Sequence, residues 1–145
     1  MGMEENNKEL IRRLFELYSQ HDLDAADAFY AEGCFPDMTW EQNRQFDTMM
    51  LNAFPDLKIT LLDMIAEGDK VAFINSITGT HTGGPFWGIP PTGKRVEGIN
   101  TRIVRIVDNK ITEFRGTTDI FGSLRQLGVL PSIPEIVKAH KDSLK

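Results

Sequence analysis

The sequence is poor in the residues from which disulfide frameworks and metal centres are built. It contains one cysteine, Cys34, and three histidines among 145 residues. A lone thiol excludes a disulfide framework and a cysteine-based metal site. His21, His81 and His140 are scattered and lack the HExxH-type spacing of a zinc site. The sequence also lacks a GxxxxGK[ST] phosphate loop and a GxSxG nucleophile elbow. We therefore predict no metal and no cofactor.

Long apolar runs and excess positive charge are also missing. No apolar run approaches the roughly 18 residues that a membrane span requires. The first residues are charged and lack the apolar region of a signal peptide. The formal net charge is −5, whereas a nucleic-acid partner normally requires a basic face. The sequence therefore predicts a cytoplasmic protein with neither a membrane nor a nucleic acid as its partner.

The remaining composition is that of an ordinary globular domain, with 41% hydrophobic and 26% charged residues. We predict one domain over residues 1–145, with a core over about 5–131 and a polar C-terminal tail over 132–145. Helical spacing of apolar residues predicts helices over residues 5–20 and 23–29. Thr39, with Gln42 three residues later, predicts the capped start of a third helix that ends near Ala53.

After Pro55 the apolar pattern changes to a period of two. Strands are predicted over residues 57–65, 71–80, 96–107 and 111–118, followed by a short amphipathic helix that ends at Gly128 and a helical tail. Asp108-Asn109 predicts a tight hairpin between the last two strands. Helices first and antiparallel strands afterwards indicate an α+β fold, in which N-terminal helices cover the concave face of a curved sheet.

The hairpin also predicts which residues share a face. If Val107 lies opposite Lys110, then Arg102 pairs with Arg115, and Asn100 pairs with Thr117. Glu113 and Asp119 would share that face as well. Several ionisable groups on one strand face cannot all be buried unpaired. The face would therefore line a polar pocket, or it would meet solvent or a second subunit.

Two segments carry a resemblance to a known family. The first is a long crossover, Gly79-Thr-His-Thr-Gly-Gly-Pro-Phe-Trp-Gly-Ile-Pro-Pro-Thr-Gly-Lys94, and the second begins Asp119-Ile-Phe-Gly-Ser-Leu-Arg-Gln-Leu-Gly128. With Phe54-Pro-Asp-Leu57 and Asp108-x-Lys-Ile-x-Glu113, their order and spacing resemble the SnoaL-like polyketide cyclases. The resemblance covers about residues 9–131. It implies a cone-shaped α+β barrel of the nuclear-transport-factor-like type around an apolar pocket.

The resemblance also implies a chemistry. Characterised cyclases of this family use the acid that matches Asp119 as general acid/base, removing a proton α to an ester carbonyl before an aldol ring closure. Phe114-Arg115 stands where members commonly carry His-Trp, which favours a smaller or anionic substrate. We expect Arg115, and with it Arg102, to bind an anionic or developing oxyanion group, with Asn100 and Thr117 beside them. Alternatively, Asp119 caps the last helix and the arginines form a surface or interface ion cluster.

Other candidates come from the loops and the aromatic residues. His81 would assist proton transfer at the pocket rim, or it would hydrogen-bond the loop backbone. Trp87, between Phe86 and Gly88, would form a pocket wall or lid. Trp40 and Tyr30 would close the opposite side, although aromatic residues are more often part of a core.

Three functions remain open from the sequence. The first is a cofactor-independent cyclase or isomerase acting on a small carbonyl or ester compound. The second is a non-catalytic small-molecule-binding or dimeric scaffold module. The third is an epoxide hydrolase, which usually requires an Asp-Arg-Asp relay around a water, and the sequence pattern does not place the second aspartate. The resemblance implies a homodimer formed through the sheet.

Overall fold

The computed structural model describes residues 2–145, which form five helices and four strands. The helices are α1 (Met3–Ser19), α2 (Leu23–Asp27), α3 (Trp40–Ala53), α4 (Ile120–Gln126) and α5 (Ile133–Ser143). The strands are β1 (Lys58–Glu67), β2 (Lys70–Thr80), β3 (Arg95–Val107) and β4 (Lys110–Thr118). The predicted α+β class and the order of its elements are confirmed.

The strands form one antiparallel sheet in the order β1-β2-β3-β4. The apolar face of α1 packs on it through residues such as Ile11 and Leu14, which are fully buried against Val71 and Val104. Burial of these side chains is the main stabilising contribution to the fold. A second apolar cluster forms where α3 meets the sheet and the crossover, around Phe54, Phe86 and Leu127.

Local capping explains where several helices begin. Thr39 and Gln42 form the predicted capping box of α3, in which each side chain binds the other residue's backbone N–H. Ser132 and Glu135 do the same for α5. The tail is therefore helical as predicted, and none of its residues is buried.

The β3–β4 hairpin has the predicted turn, but the predicted register is wrong. Asp108 and Asn109 adopt left-handed φ angles of 51° and 59°, as a two-residue turn requires. Val107 pairs with Lys110, yet the register shifts by one residue beyond Ile106. Thr112 is the extra residue of this β-bulge, because Ile106 pairs with Ile111 and Arg105 pairs with Glu113.

The bulge changes which side chains share a face. Arg102 lies opposite Gly116, and Asn100 lies opposite Thr118. Arg115 instead pairs with Ile103, on the outer face of the sheet. The physical reason lies in the core: Ile111 and Phe114, three residues apart, both pack on the inner core cluster, which a regular strand with a period of two does not allow.

Helix α4 closes one end of the sheet. The Gln126 side chain accepts a hydrogen bond from the backbone N–H of Glu97 at 2.7 Å and donates one to its carbonyl oxygen at 2.8 Å. Gln126 thus replaces a neighbouring strand beside the part of β3 that extends past the end of β4. This contact holds Ile120 and Ser123 at the edge of the cavity described next.

Candidate active site

A cavity of about 720 Å³ lies between the inner face of the sheet and helices α1 and α3. This volume is within the range of small-molecule sites. The wall is predominantly apolar and aromatic, with Phe46, Phe54, Phe73, Phe86 and Phe114 among its side chains. Polar groups are few and fall into two clusters, one on the sheet and one on the helices.

The sheet-side cluster consists of Asn75, Asn100, Arg102 and Thr118. Asn75 and Asn100 lie opposite each other on β2 and β3, and both are buried. The Oδ1 atom of Asn100 has no hydrogen-bond partner among the described residues. Because a buried polar atom without a partner is costly, this oxygen is available to a bound molecule.

Arg102 is the cation of this cluster. Its guanidinium lies 5.2 Å from the centroid of the Phe114 ring and donates a hydrogen bond to the Thr118 hydroxyl. Burial lowers the pKa of Arg102. Within residues 2–145, no carboxylate lies within ion-pair distance of it. The cavity therefore holds a cation that has no ion-pair partner among the described residues.

The helix-side cluster consists of Asp47, Tyr18, Tyr30 and Asn43, all of which border the cavity. The Tyr18 hydroxyl donates to Asp47 Oδ2 at 3.1 Å, and Asn43 Nδ2 donates to the same oxygen at 3.3 Å. The hydroxyls of Tyr18 and Tyr30 are 3.0 Å apart. Burial raises the pKa of Asp47 to about 6, although its two hydrogen bonds oppose the shift.

Sequence reasoning missed Asp47, Tyr18 and Asn75. A signal was available: Tyr18 continues the apolar face of α1, and Asn43, Asp47 and Met50 follow each other at helical spacing on α3. Polar side chains on the inward face of a helix are candidates for a pocket, because burial without function is unfavourable.

Asp119 lies at the N-terminus of α4. Its Oδ1 accepts a hydrogen bond from the Gly122 backbone N–H at 2.8 Å, as an N-cap does. The residue is exposed. Its chain neighbours Thr118 and Ile120 border the cavity, whereas Asp119 itself does not. Its role as general acid/base stays a prediction.

His81 is fully buried outside the cavity wall. The backbone N–H of Thr92 donates to Nδ1 at 3.3 Å, which leaves Nε2 to donate to the Gly84 carbonyl oxygen at 3.1 Å. The ring thereby ties together two parts of the crossover. This arrangement matches the loop-binding alternative foreseen from the sequence, and the proton-transfer role stays untested.

Arg115 and Thr117 lie on the outer face of β4, contrary to the predicted register. Arg115 touches the cavity rim, but its side chain is 70% exposed and its guanidinium lies 3.9 Å from Glu113 Oε2. Glu113 in turn pairs with Arg105, which also binds Asp69. The structure thus separates Arg102, inside the cone, from Arg115 in an outer ion network.

The predicted aromatic residues are near the cavity but differ in exposure. Tyr30 is buried, whereas Trp87 is 50% exposed and its ring lies tilted against Phe86, with 4.7 Å between the ring centroids. Trp40 does not border the cavity. Its ring packs 5.8 Å from Tyr30 and 6.1 Å from Phe35, so it supports the wall from behind.

Comparison with known proteins accounts for this architecture. The sequence model of the SnoaL-like polyketide cyclase family matches residues 8–127. The chain belongs to this family. Its members among curated proteins include the nogalonic acid methyl ester cyclase of Streptomyces nogalater, 46% identical over 50 residues. The aklanonic acid methyl ester cyclase DnrD of Streptomyces peucetius is 40% identical over 60 residues.

These cyclase matches are local. They cover 34% and 41% of this chain, and 37% and 41% of the respective relatives. Solved SnoaL-like structures match more completely. AclR, a candidate hydroxylase from Streptomyces galilaeus, superposes with a TM-score of 0.82 and 27% identity over 97% of this chain and 92% of its own. IdmH, a candidate polyketide cyclase from Streptomyces antibioticus, superposes with a TM-score of 0.72 and 27% sequence identity. The match covers 85% of this chain and 99% of IdmH.

Neither a membrane-spanning helix nor a cluster of metal-ligating side chains is found in the described part of the chain. None of the helices in residues 2–145 combines the length and apolar character needed to cross a membrane. In the same part of the chain, no three His, Cys, Asp or Glu side chains are grouped so that they could hold a metal ion.

Proposed function

We propose that this SnoaL-like protein is a cofactor-independent enzyme of the cyclase or isomerase type. It would perform acid/base chemistry through an enolate on a small carbonyl or ester compound bound in the cavity. The observation that carries this proposal is Arg102, a cation without a carboxylate partner among residues 2–145. It lies beside two buried asparagines in a predominantly apolar cavity.

The sheet-side cluster supplies what an enolate requires. An enolate forms when a C–H bond next to a carbonyl loses its proton and the electron pair moves onto the carbonyl oxygen. Hydrogen-bond donors fixed around that oxygen stabilise the charge, and they do so more strongly in an apolar site than in water. Arg102 is such a donor, the Nδ2 amide groups of Asn75 and Asn100 beside it can also donate, and the aromatic wall would hold the carbon skeleton. The resemblance implies proton transfer by Asp119, and the rate of α-proton exchange in Asp119→Asn tests that assignment.

A non-catalytic binding module is the second candidate. The positions of Asp119 and His81 favour it, because the first caps α4 and the second binds the crossover, and neither borders the cavity. Exchange of α-protons distinguishes the two functions, since only an enzyme accelerates it. Nothing in the cavity favours epoxide hydrolysis, because Arg102 has no aspartate beside it within the described residues.

We expect Arg102→Met to weaken binding of 4-acetylbenzoate at least tenfold, because a charge-assisted hydrogen bond contributes about 1.5–3 kcal/mol. Binding of the neutral methyl 4-acetylbenzoate should change less than twofold. The affinities would be measured by titration calorimetry. Arg13→Met is the control: it removes the same side chain from the exposed side of α1, away from the cavity, and should leave both affinities unchanged. Equal losses for acid and ester would contradict an anion-binding role for Arg102.

The same proposal includes a homodimer formed through the outer face of the sheet. That face carries a group of exposed isoleucines, namely Ile65, Ile74, Ile99 and Ile103, beside the ion network of Arg105 and Glu113. Exposed apolar patches of this kind are typical of interaction sites.

A location in the cytoplasm stays a prediction from the sequence.

Ile103→Arg tests the dimer. Ile103 is 53% exposed and pairs with Arg115 on the outer face. A second cation there would place like charges together in an interface, so we expect the variant to be monomeric by light scattering while the parent is dimeric. Leu144→Arg, at an exposed position beyond α5, is the control and should not change the mass. A monomeric parent protein would contradict the dimer.

A further inference from the structure

We propose that Asp47 is the acid/base group that acts on the bound substrate, with Tyr18 and Tyr30 as the hydrogen-bonded chain that orients it. This inference rests on the proposed function and names the residue that would transfer the proton. It replaces the expectation from family resemblance, which places the proton transfer at the start of α4.

The geometry of Asp47 leaves one oxygen free for a substrate. Both hydrogen bonds that its carboxylate accepts, from Tyr18 and Asn43, end on Oδ2. Oδ1 accepts none from the described residues, and Asp47 borders the cavity. A general base must come within hydrogen-bonding distance of the proton that it removes. Oδ1 of Asp47 satisfies this requirement for a molecule in the cavity.

The two tyrosines form a directed chain of hydrogen bonds. Since the Tyr18 hydroxyl donates to Asp47, its oxygen is free to accept, and Tyr30 is the donor of the 3.0 Å contact between the two hydroxyls. A proton taken up on Oδ1 leaves Oδ2 accepting the hydrogen bonds from Tyr18 and Asn43. The phenols thus fix the orientation of the carboxylate in both of its protonation states.

The electrostatic surroundings hold the pKa of Asp47 at about 6, where the side chain can both accept and donate a proton. Burial raises its pKa, and the charge of Asp27 on α2 adds to that rise. Hydrogen bonds from Tyr18 and Asn43 and the charge of Arg44 on α3 act in the opposite direction. Arg44 is itself paired with Asp24 and Asp27, so it does not form an ion pair with Asp47.

The structural role of Asp47 does not require a carboxylate. The amide oxygen of an asparagine would accept the same two hydrogen bonds without the cost of burying a charge. Asp119, by contrast, is exposed and accepts a hydrogen bond from the first turn of α4, a role in which a carboxylate is common. The partly buried carboxylate of Asp47 is therefore the one that lacks a structural explanation.

The chemical step balances without any further reactant. The C–H bond next to the substrate carbonyl breaks, its proton moves to Asp47 Oδ1, and its electron pair forms the enolate, whose oxygen faces Arg102. The enolate carbon then forms a bond to a second carbonyl carbon of the same molecule. The oxygen of that second carbonyl takes the proton back from Asp47. The product is an isomer of the substrate, and the enzyme returns to its starting state.

The test uses 4-acetylbenzoate, whose acetyl protons exchange with D₂O through an enolate, and proton NMR to follow the loss of the methyl signal. We expect the parent protein to accelerate exchange and Asp47→Asn to slow it at least tenfold with an unchanged dissociation constant. The parent rate should rise with pH through about 6, because the carboxylate form is the base. Asp108→Asn is the matched control and should exchange the substrate at the parent rate. It lies in the β3–β4 turn, where asparagine tolerates the left-handed φ of 51°.

Asp119→Asn separates the two assignments of the acid. If Asp47→Asn exchanged the substrate protons at the parent rate and Asp119→Asn did so more slowly, this inference would be overturned and the proposed function would stand. A parent protein no faster than buffer would overturn the proposed function and the inference with it.

A second readout of Asp47→Asn needs no substrate. The raised pKa of Asp47 means that the folded protein holds this proton more tightly than the unfolded chain does, so the contribution of Asp47 to stability is full below about pH 4 and is lost as pH rises through 6. We expect Asp47→Asn to unfold at a higher urea concentration than the parent at pH 8 and at a similar one at pH 4. Equal midpoints at pH 8 would show that the carboxylate is not held in an unfavourable environment, and would overturn the inference.

Discussion

Replacing Phe86 by alanine should lower the free energy of unfolding by about 3–5 kcal/mol, the range for removing a fully buried phenylalanine. Phe86 is 2% exposed and lies within the second apolar cluster. Its ring meets Phe54 edge-on at 5.5 Å and borders the cavity. Truncation would leave a void that the surrounding rings cannot fill, because protein cores are closely packed. Urea unfolding measures the loss.

Trp87→Ala is the control for this prediction. Trp87 is the next residue and a larger aromatic, but half of its surface is exposed. Its truncation should lower the free energy of unfolding by about 1 kcal/mol, a value typical of single substitutions. A similar loss in both variants would mean that Phe86 is not the core residue that its burial indicates. The pair thus separates the part of the crossover that stabilises the fold from the part that meets solvent.

Gly83→Ala should lower the free energy of unfolding by about 3 kcal/mol, at the upper end of the usual cost of overpacking. A methyl group at Gly83 would lie 1.9 Å from the Asn52 carbonyl oxygen at the end of α3. The backbone N–H of Gly83 donates to the Ala53 carbonyl there at 3.1 Å. Because a backbone atom is in the way, the crossover would have to move off α3.

Gly84→Ala provides a control one residue away. A methyl group at Gly84 would find its nearest neighbour at 3.8 Å, which is ordinary van der Waals contact. We expect that variant to unfold within about 0.5 kcal/mol of the parent, as surface substitutions usually do. Equal destabilisation of the two variants would mean that chain flexibility, rather than the contact with α3, governs the effect.

Both predictions concern the crossover between β2 and β3, which forms one wall of the cavity. His81 ties its ends together through Thr92 and Gly84, and Gly83 sets its distance from α3. Movement of this segment would shift Phe86 and Trp87 along with it. We therefore expect Gly83→Ala to weaken binding of neutral aromatic compounds as well, whereas Arg102→Met should affect the charged ones.

The long elements of the fold could be predicted because their signals are local. The periodicity of α1, the capping box of α3 and the change to a period of two after Pro55 each depend on a few neighbouring residues. The Asp108-Asn109 turn belongs to the same group. Predicted boundaries differ from the observed ones by only a few residues, since helix and strand ends are set by local hydrogen bonds.

The site could be predicted only in part. Asn100, Arg102, Tyr30 and Trp87 border the cavity, as expected. Arg115 and Thr117 were placed on the same face as Arg102 by counting outward from the turn. This alternation of faces is interrupted at Thr112, because the bulge moves every later residue of β4 to the opposite face of the sheet. No local pattern in β4 marks the bulge; it follows from the packing of Ile111 and Phe114.

The sequence by itself determined the α+β class, the order of the elements and the membership of the SnoaL-like family. Each of these depends on spacing along the chain, which the residues carry directly. The tertiary structure alone decided which side chains share the cavity. Asp47 and Arg102 are 55 positions apart, and they line one space only because α3 packs across the inner face of a sheet with a bulge in β4. Packing of distant segments therefore decides the chemistry of the site, since burial and mutual position, rather than residue type, set the charge and reach of each group.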